Sequence, residues 1–214
     1  MAPLLSIAFM PPIEYFVILA KYSVIELEAC ENYQKQSYRN RCKIYTADGA
    51  QALNVPVVHE NGTFKLPITR IKVDYSTPWV TRAKRAIDAA YYSSAYFEYY
   101  RDSLYSILDS RPETLFGLDL ELTRYLALKC GIKTDIRFTR DFLPGVPGED
   151  FREAIHPKRP NTILEDNNLK KPYFQVFSQK YGFLPNLSVI DLLFNEGPDS
   201  ISYLKPPSEG DNCI

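Results

Sequence analysis

The feature that most constrains this chain is its first thirty or so residues, where an apolar run, a double proline, a helical repeat and a second β-rich run follow closely. Leu4 to Phe9 has the length and composition of a buried strand. Pro11 and Pro12 then open a helical pattern, since proline is tolerated in a first turn, and Phe16, Leu19 and Ala20 fall on one face. Ser23 to Ala29 reads as the next strand. A strand, a helix and a strand in that order lie parallel through a right-handed crossover. The spacing therefore predicts a β-α-β unit, with residues 9–14 at the carboxyl end of the first strand, where open α/β sheets place ligands.

Beyond this unit the periodicity changes. Residues 41–46, 51–59 and 68–74 are β-rich and separated by Ala-Asp-Gly and Glu-Asn-Gly turns, which predicts a meander and hence a mixed sheet. Thr77-Pro78 supplies a cap and a first helical residue for a helix to about Ser93, with Trp79, Ala83, Ala86 and Ala90 on one side. An aromatic-rich helix over 95–110 follows, then a third helix from Pro112 to Cys130 closed by Gly131. From Leu143 to Pro172 prolines and glycines replace periodicity, which reads as a long loop or lid. Ser188-x-x-Asp191 has the form of a capping box for a last helix that Gly197-Pro198 stops, and residues 205–214 read as a flexible tail. The predicted fold class is α/β, one domain over 1–214, with α+β as the alternative.

Composition narrows the function classes. With 25 Lys+Arg against 26 Asp+Glu the formal net charge is −1, so no global field draws the chain to nucleic acid, and an anion site must be local. Glu14 and Lys21 interrupt the most apolar stretch, and no spanning helix is expected. The opening segment has no Lys or Arg ahead of its apolar part, so it reads as mature structure rather than a leader, and the expected compartment is the cytoplasm. Cys30, Cys42, Cys130 and Cys213 lack paired spacing and read as free thiols. His59 and His156, with no pattern of acidic or histidine ligands around them, argue against a catalytic zinc site. Phosphate-cradle and nucleophile-elbow motifs are absent, and no cofactor is indicated.

The richest chemistry lies in Glu31 to Lys43. If the segment is extended, Arg39, Arg41 and Lys43 share one face, with Tyr38, Asn40 and Cys42 on the other. Such a row, with Lys35 beside it, can bind phosphate or carboxylate, because guanidinium offers a fork and ammonium a point charge. The plain alternative is a solvated strand edge. His156, in the proline-flanked Ile155-His-Pro-Lys158, is the expected proton carrier, with Lys158 as a second cation; the alternative is an ordinary surface histidine. Asp191 and Asn195 share a helical face and can hydrogen-bond to the arginine tract, or Asp191 can simply favour the positive end of its helix. The tyrosines between Tyr91 and Tyr100 can stack on rings or pack on the sheet.

Three stretches, Pro11-Pro-Ile-Glu-Tyr-Phe16, Tyr33-Gln-Lys-Gln-Ser-Tyr-Arg-Asn-Arg41 and Leu187-Ser-Val-Ile-Asp-Leu-Leu-Phe-Asn-Glu-Gly197, resemble the WbqC-like family. The resemblance implies a place in bacterial O-antigen or related surface-polysaccharide biosynthesis, and Asn40, Arg41, Asp191 and Asn195 match its motifs. Longer members open with His-Gln-Pro-x-Tyr-x-Pro-Trp-x-Gly-Tyr-Phe. Leu5 to Phe16 takes that place here without the leading His and Gln, so His156 or a tyrosine such as Tyr38 is expected to move the proton. Two readings follow. In one the chain is a transferase that adds an acyl or aminoacyl group to an activated amino sugar, holding a nucleotide sugar or another acidic small molecule through Lys35 to Lys43. In the other it is a non-enzymatic assembly protein, able to self-associate, that docks an acidic partner through the same tract.

Overall fold

A computed structural model describes residues 2–58, 65–143, 149–167, 169 and 171–205. His59, Cys213, the Glu-Asn-Gly turn, Pro144 to Gly148 and the tail beyond Lys205 lie outside the described residues.

The opening unit folds as its sequence predicts. Strand β1 (Leu4–Leu5) pairs in parallel with β2 (Val24–Leu27), and helix α1 (Ile13–Lys21) crosses between them. Pro12 caps α1 and Lys21 sits in its last turn, where a cation complements the helix dipole. Of the strand expected over Leu4 to Phe9 only the first two residues pair with β2. The chain then leaves the sheet, and Phe9 N–H turns to the Tyr38 carbonyl at 2.9 Å. A third parallel strand, β5 (Asp135–Phe138), lies on the other side of β2, so the order is β1-β2-β5. A further parallel contact, Leu4 with Asp150, flanks β1.

Separate from this sheet is the antiparallel pair β3 (Arg41–Thr46) and β4 (Gly49–Asn54), joined by a tight turn at the predicted Ala-Asp-Gly. The third run of the meander pairs only locally. Val58 N–H donates to the Lys72 carbonyl at 3.0 Å and Asp74 N–H to that of Pro56 at 2.9 Å. Ile68–Arg70 is a 3₁₀ turn, closed by Arg70 N–H on the Pro67 carbonyl at 2.9 Å. Proline lacks the N–H a ladder needs, so Pro67 is a natural place for such a run to become a turn.

Helices α2 (Trp79–Tyr91), α3 (Phe97–Asp109) and α4 (Leu115–Lys129) match the predicted helical middle. Their starts differ from expectation. Pro78, not Thr77, is the cap of α2, and α4 begins after Thr114, whose hydroxyl accepts from Gly117 N–H at 3.1 Å. The stretch expected as a loop over 143–172 holds a short helix, α5 (Ile163–Asp166), and another, α6 (Ser178–Tyr181), follows it.

Helix α7 (Val189–Glu196) stops at Gly197, which has φ +55° and lies so close to Tyr96 that a Cβ would meet the ring at 2.5 Å. Glycine alone fits that position. The capping box at its start is not formed, because Ser188 is used elsewhere: its hydroxyl donates to the Met10 carbonyl at 2.7 Å and its N–H to the Lys43 carbonyl at 2.8 Å. The start of α7 thus ties the segment before α1 to β3. The short α8 (Ser200–Leu204) completes a single-domain α/β fold, whose buried side chains form one continuous cluster from Leu5 to Leu204.

Candidate functional site

The Glu31 to Lys43 tract is not one extended row. Gln36 adopts φ +59°, the Ser37 hydroxyl donates to the Gln34 carbonyl at 2.8 Å and Tyr38–Asn40 forms a 3₁₀ turn, so the alternation of a strand begins only at Arg41. A short polar side chain that bonds nearby backbone competes with strand pairing, which is why the turn prevails. The expected common face of Arg39, Arg41 and Lys43 is therefore broken. Arg39 points inward: its Nε donates to Glu31 Oε1 at 2.8 Å, and its Nη2 donates both to the Ser6 hydroxyl at 2.7 Å and to Glu31 Oε2. The guanidinium is buried with its carboxylate. Asn40 donates to the Val55 carbonyl at 3.0 Å, and Arg41 is half-buried at the head of β3.

Three of the candidate residues do converge. Tyr38, Lys43 and His156 border one cleft of about 280 Å³, together with Glu14, Arg159 and Asn161. Glu14 stands in the first turn of α1 and is 2% exposed. Asn161 Nδ2 donates to its Oε2 at 2.8 Å, and Asn186 Oδ1 accepts from its backbone N–H at 3.2 Å. Burial pushes the Glu14 carboxyl upward, opposed by the two amides and by the charge of Lys43. Burial, with Glu14 beside it, also pushes the Tyr38 phenol up, so that side chain is a hydrogen-bond donor rather than an anion. His156 is held below its ordinary value, first by burial and then by Arg159. Its Nδ1 accepts from Lys158 N–H at 3.2 Å, which assigns the ring proton to Nε2. Lys158 itself is exposed, and its ammonium meets Gln36.

A larger cleft of about 630 Å³ adjoins the first. It opens at the carboxyl end of the parallel strands, between the segment after β2 (Cys30, Glu31, Tyr33) and Phe142, Arg152 and Glu153. Its charges are fixed in place. Arg152 Nη1 meets Glu28 at 3.0 Å, its Nη2 meets Asp150 at 2.6 Å, and Thr139 donates to Glu28 at 2.5 Å. Burial works to raise Asp150, but the hydrogen bonds and charge of Arg152 outweigh it and hold the carboxyl below its ordinary range. Glu153 borders the large cleft and Arg159 the small one, and an ion pair links the two side chains; Gln34 Nε2 donates to the same Glu153 at 3.1 Å.

Asp191 and Asn195 border neither cleft. Asp191 is buried, with Tyr173 donating to its Oδ2 at 2.5 Å and Gln175 at 2.9 Å, and Asn195 donates to the Asp191 backbone carbonyl at 2.8 Å. Their partners are aromatic and amide groups rather than the arginine tract. Lys35 lies exposed on the turn before Tyr38.

Glu14 is the site residue that sequence reasoning passed over. Its signal was present: in the pattern of longer WbqC-like members its place is taken by glycine, and a carboxylate there enters an otherwise apolar helix start.

Fold and clefts define a single-domain α/β protein with two clefts linked by the Glu153–Arg159 ion pair, one of them at the carboxyl edge of a parallel sheet. The sequence model of the WbqC-like protein family matches residues 8–156, and the chain belongs to that family. It is also similar to an uncharacterized protein, Rv1507c, of Mycobacterium tuberculosis, with 25% identity over 217 residues that cover 89% of this chain and 91% of the relative. No solved structure matches. Among the described residues no helix is long and apolar enough to cross a membrane.

Proposed function

We propose that this protein is a group-transfer enzyme of surface-polysaccharide assembly, acting on an activated amino sugar in the paired clefts. The observation that carries the reading is the convergence of Tyr38, Lys43 and His156, from segments more than a hundred residues apart, on a cleft whose floor is the buried acid Glu14. Clefts that join a few convergent polar groups to a titratable residue shifted by burial are the usual form of an active site.

In this reading Lys43 and Arg159 hold the phosphate of the activated sugar. The larger cleft takes the second substrate. For acyl transfer the amine nitrogen of the sugar attacks the acyl carbonyl, an N–C bond forms and the bond to the leaving group breaks. Glu14 takes the proton released by the amine and passes it to the departing group, while His156 Nε2–H and the Tyr38 hydroxyl hold the oxygen on which charge develops. Sites of this kind rest on positioning as much as on acid-base strength.

Calorimetric titration with uridine and thymidine diphosphate sugars tests the reading. Saturable binding is expected, weakened on the order of tenfold in Lys43→Ala, since loss of a charged hydrogen bond costs about 1.5–3 kcal/mol. Absence of saturable binding by the wild type overturns it. The assembly reading is favoured by a separate observation, the exposure of Tyr92, just after α2, and Tyr99, on α3, at 73% and 79%. A partner bound through that face, with no affinity for nucleotide sugars, would replace the enzymatic reading.

A further inference from the structure

We infer that the outer edge of β5 is the contact of a two-fold symmetric dimer, in which a second copy of this chain extends the parallel sheet through antiparallel β5 pairing centred on Ile136. The strand is at the end of the order β1-β2-β5, and among the described residues none pairs with its outer side. Asp135 N–H and Thr139 N–H donate inward to the Ser23 and Leu27 carbonyls at 2.9 and 3.0 Å. Backbone groups alternate sides along a strand, so Ile136 and Phe138 present theirs outward. An open edge of this kind is a template for another strand.

Charge selects the occupant and the register. Asp135 and Arg137 lie on one face of β5 and form an exposed ion pair, Nε to Oδ2 at 2.8 Å. With the two-fold axis through Ile136, each Asp135 faces the Arg137 of the other copy, so four charges alternate in sign and two new opposite-charge pairs form. Centring on Arg137 sets arginine over arginine, and centring on Asp135 sets aspartate over aspartate. Only one register is self-complementary. Edge charges that protect a strand repel an incoming copy, whereas these attract one.

The flanking surface fits the same partner. On the opposite face of β5, Phe138 is 40% exposed and packs on Phe116 of α4 at 5.8 Å between ring centroids, with the Arg124 guanidinium over its ring. Phe116, Leu120, Arg124 and Leu128 follow at helical spacing on α4, and Leu128 is 71% exposed. The two-fold operation brings both copies of this stripe to the same face of the joined sheet, so that paired strands and an apolar helix surface form one isologous interface.

Light scattering on the full chain across micromolar concentrations tests the inference. The wild type is expected to dimerise. Ile136→Pro removes an outward N–H without touching a bond to β2 and is tolerated on an edge, so it is expected to give a folded monomer. Asp135→Arg and Arg137→Asp are each expected to weaken association on the order of tenfold, and the double exchange to restore it. In Ile136→Cys the two thiols meet across the axis, where paired Cα atoms are about 5.5 Å apart, and oxidation is expected to yield a covalent dimer that the wild type does not form. A wild type that stays monomeric overturns the inference, as does a dimer that survives Ile136→Pro and both single charge exchanges. A monomer that dimerises only after residues 206–214 are removed assigns the edge to the chain's own tail and equally overturns it.

Discussion

At the carboxyl end of the parallel sheet the buried acids meet guanidinium groups: Glu31 meets Arg39, and Glu28 meets Arg152. Around α1 and α7 the acids are buried to the same degree, yet among the described residues the side chains of Glu14 and Asp191 accept hydrogen bonds from amides and hydroxyls, not from guanidinium groups. The difference separates two uses of a carboxyl group. Paired with a fork of the opposite charge, an acid becomes a clamp that fixes the geometry of loops, here the segments after β1, β2 and β5. Held by neutral donors, it is left to weigh its proton against burial. Burial pushes Asp191 up to about 6 and moves Glu14 in the same direction. Asp119 in α4 is the limiting case, fully buried with no hydrogen-bond partner for either oxygen among the described residues, and burial alone drives it well above its ordinary range.

The clamp is the part of this comparison that is hardest to disturb without consequence. Arg39→Ala leaves Glu31 buried and unpaired and is expected to cost about 3–5 kcal/mol of stability by urea denaturation. Replacing both partners, Arg39→Met with Glu31→Leu, is expected to cost far less than that single change. If the double variant is as damaged as the single one, the pair is not a unit.

For the proton-weighing acids the sign of the pH dependence decides. Asp191 has a folded value above its unfolded one, so between about 4 and 6 the folded state binds more protons, and stability falls as pH rises through that window. The full effect is about 3 kcal/mol. Thermal melts from pH 4 to 7 are expected to show the wild type losing stability relative to Asp191→Asn, which keeps an acceptor for Tyr173 and Gln175. A constant difference between the two across that range would mean that Asp191 does not titrate there.

Glu14→Gln preserves the Asn161 contact and removes the ionisable group. Relative to the wild type it is expected to gain stability as pH rises from 4 to 7, because burial disfavours the charged form of Glu14. Loss of function with retained or increased stability is the pattern of a residue kept for chemistry, and a less stable Glu14→Gln would return Glu14 to a structural role. The smallest effect is expected at Asp119. If burial keeps that carboxyl protonated, Asp119→Asn changes stability at neutral pH by less than about 1 kcal/mol, whereas a gain of several kcal/mol would mean that the group is charged in the native state.

How much of this was legible in the sequence depended on whether a signal was local. The β-α-β opening was legible because the run of Leu4, the prolines at 11 and 12 and the β-rich Val24 segment each carry their own pattern, and chain connectivity leaves little freedom in joining them. Helices α2 to α4 and the stop at Gly197 were legible for the same reason. Strand β5 was not: Asp135-Ile-Arg-Phe138 is four residues long, two of them charged, and β2 alone makes it a strand. The cleft was half legible. His156, Tyr38 and Lys43 were singled out by residue type and setting, but Arg39 was read as a ligand fork because its sequence gives no sign of the inward turn at Ser37.

The sequence by itself determined the order and kind of most elements, the absence of a net field for nucleic acid, and kinship with the WbqC-like family, since these follow from residue types and spacings along one line. Only the tertiary structure decided which cations are spent on internal acids and which reach a cleft, that Asp191 belongs to the core rather than to the arginine tract, and that Glu14 borders the same cleft as His156. Those outcomes depend on distances between segments far apart in the chain, and charge interactions inside a protein are set by separation and burial, neither of which is written in a linear pattern.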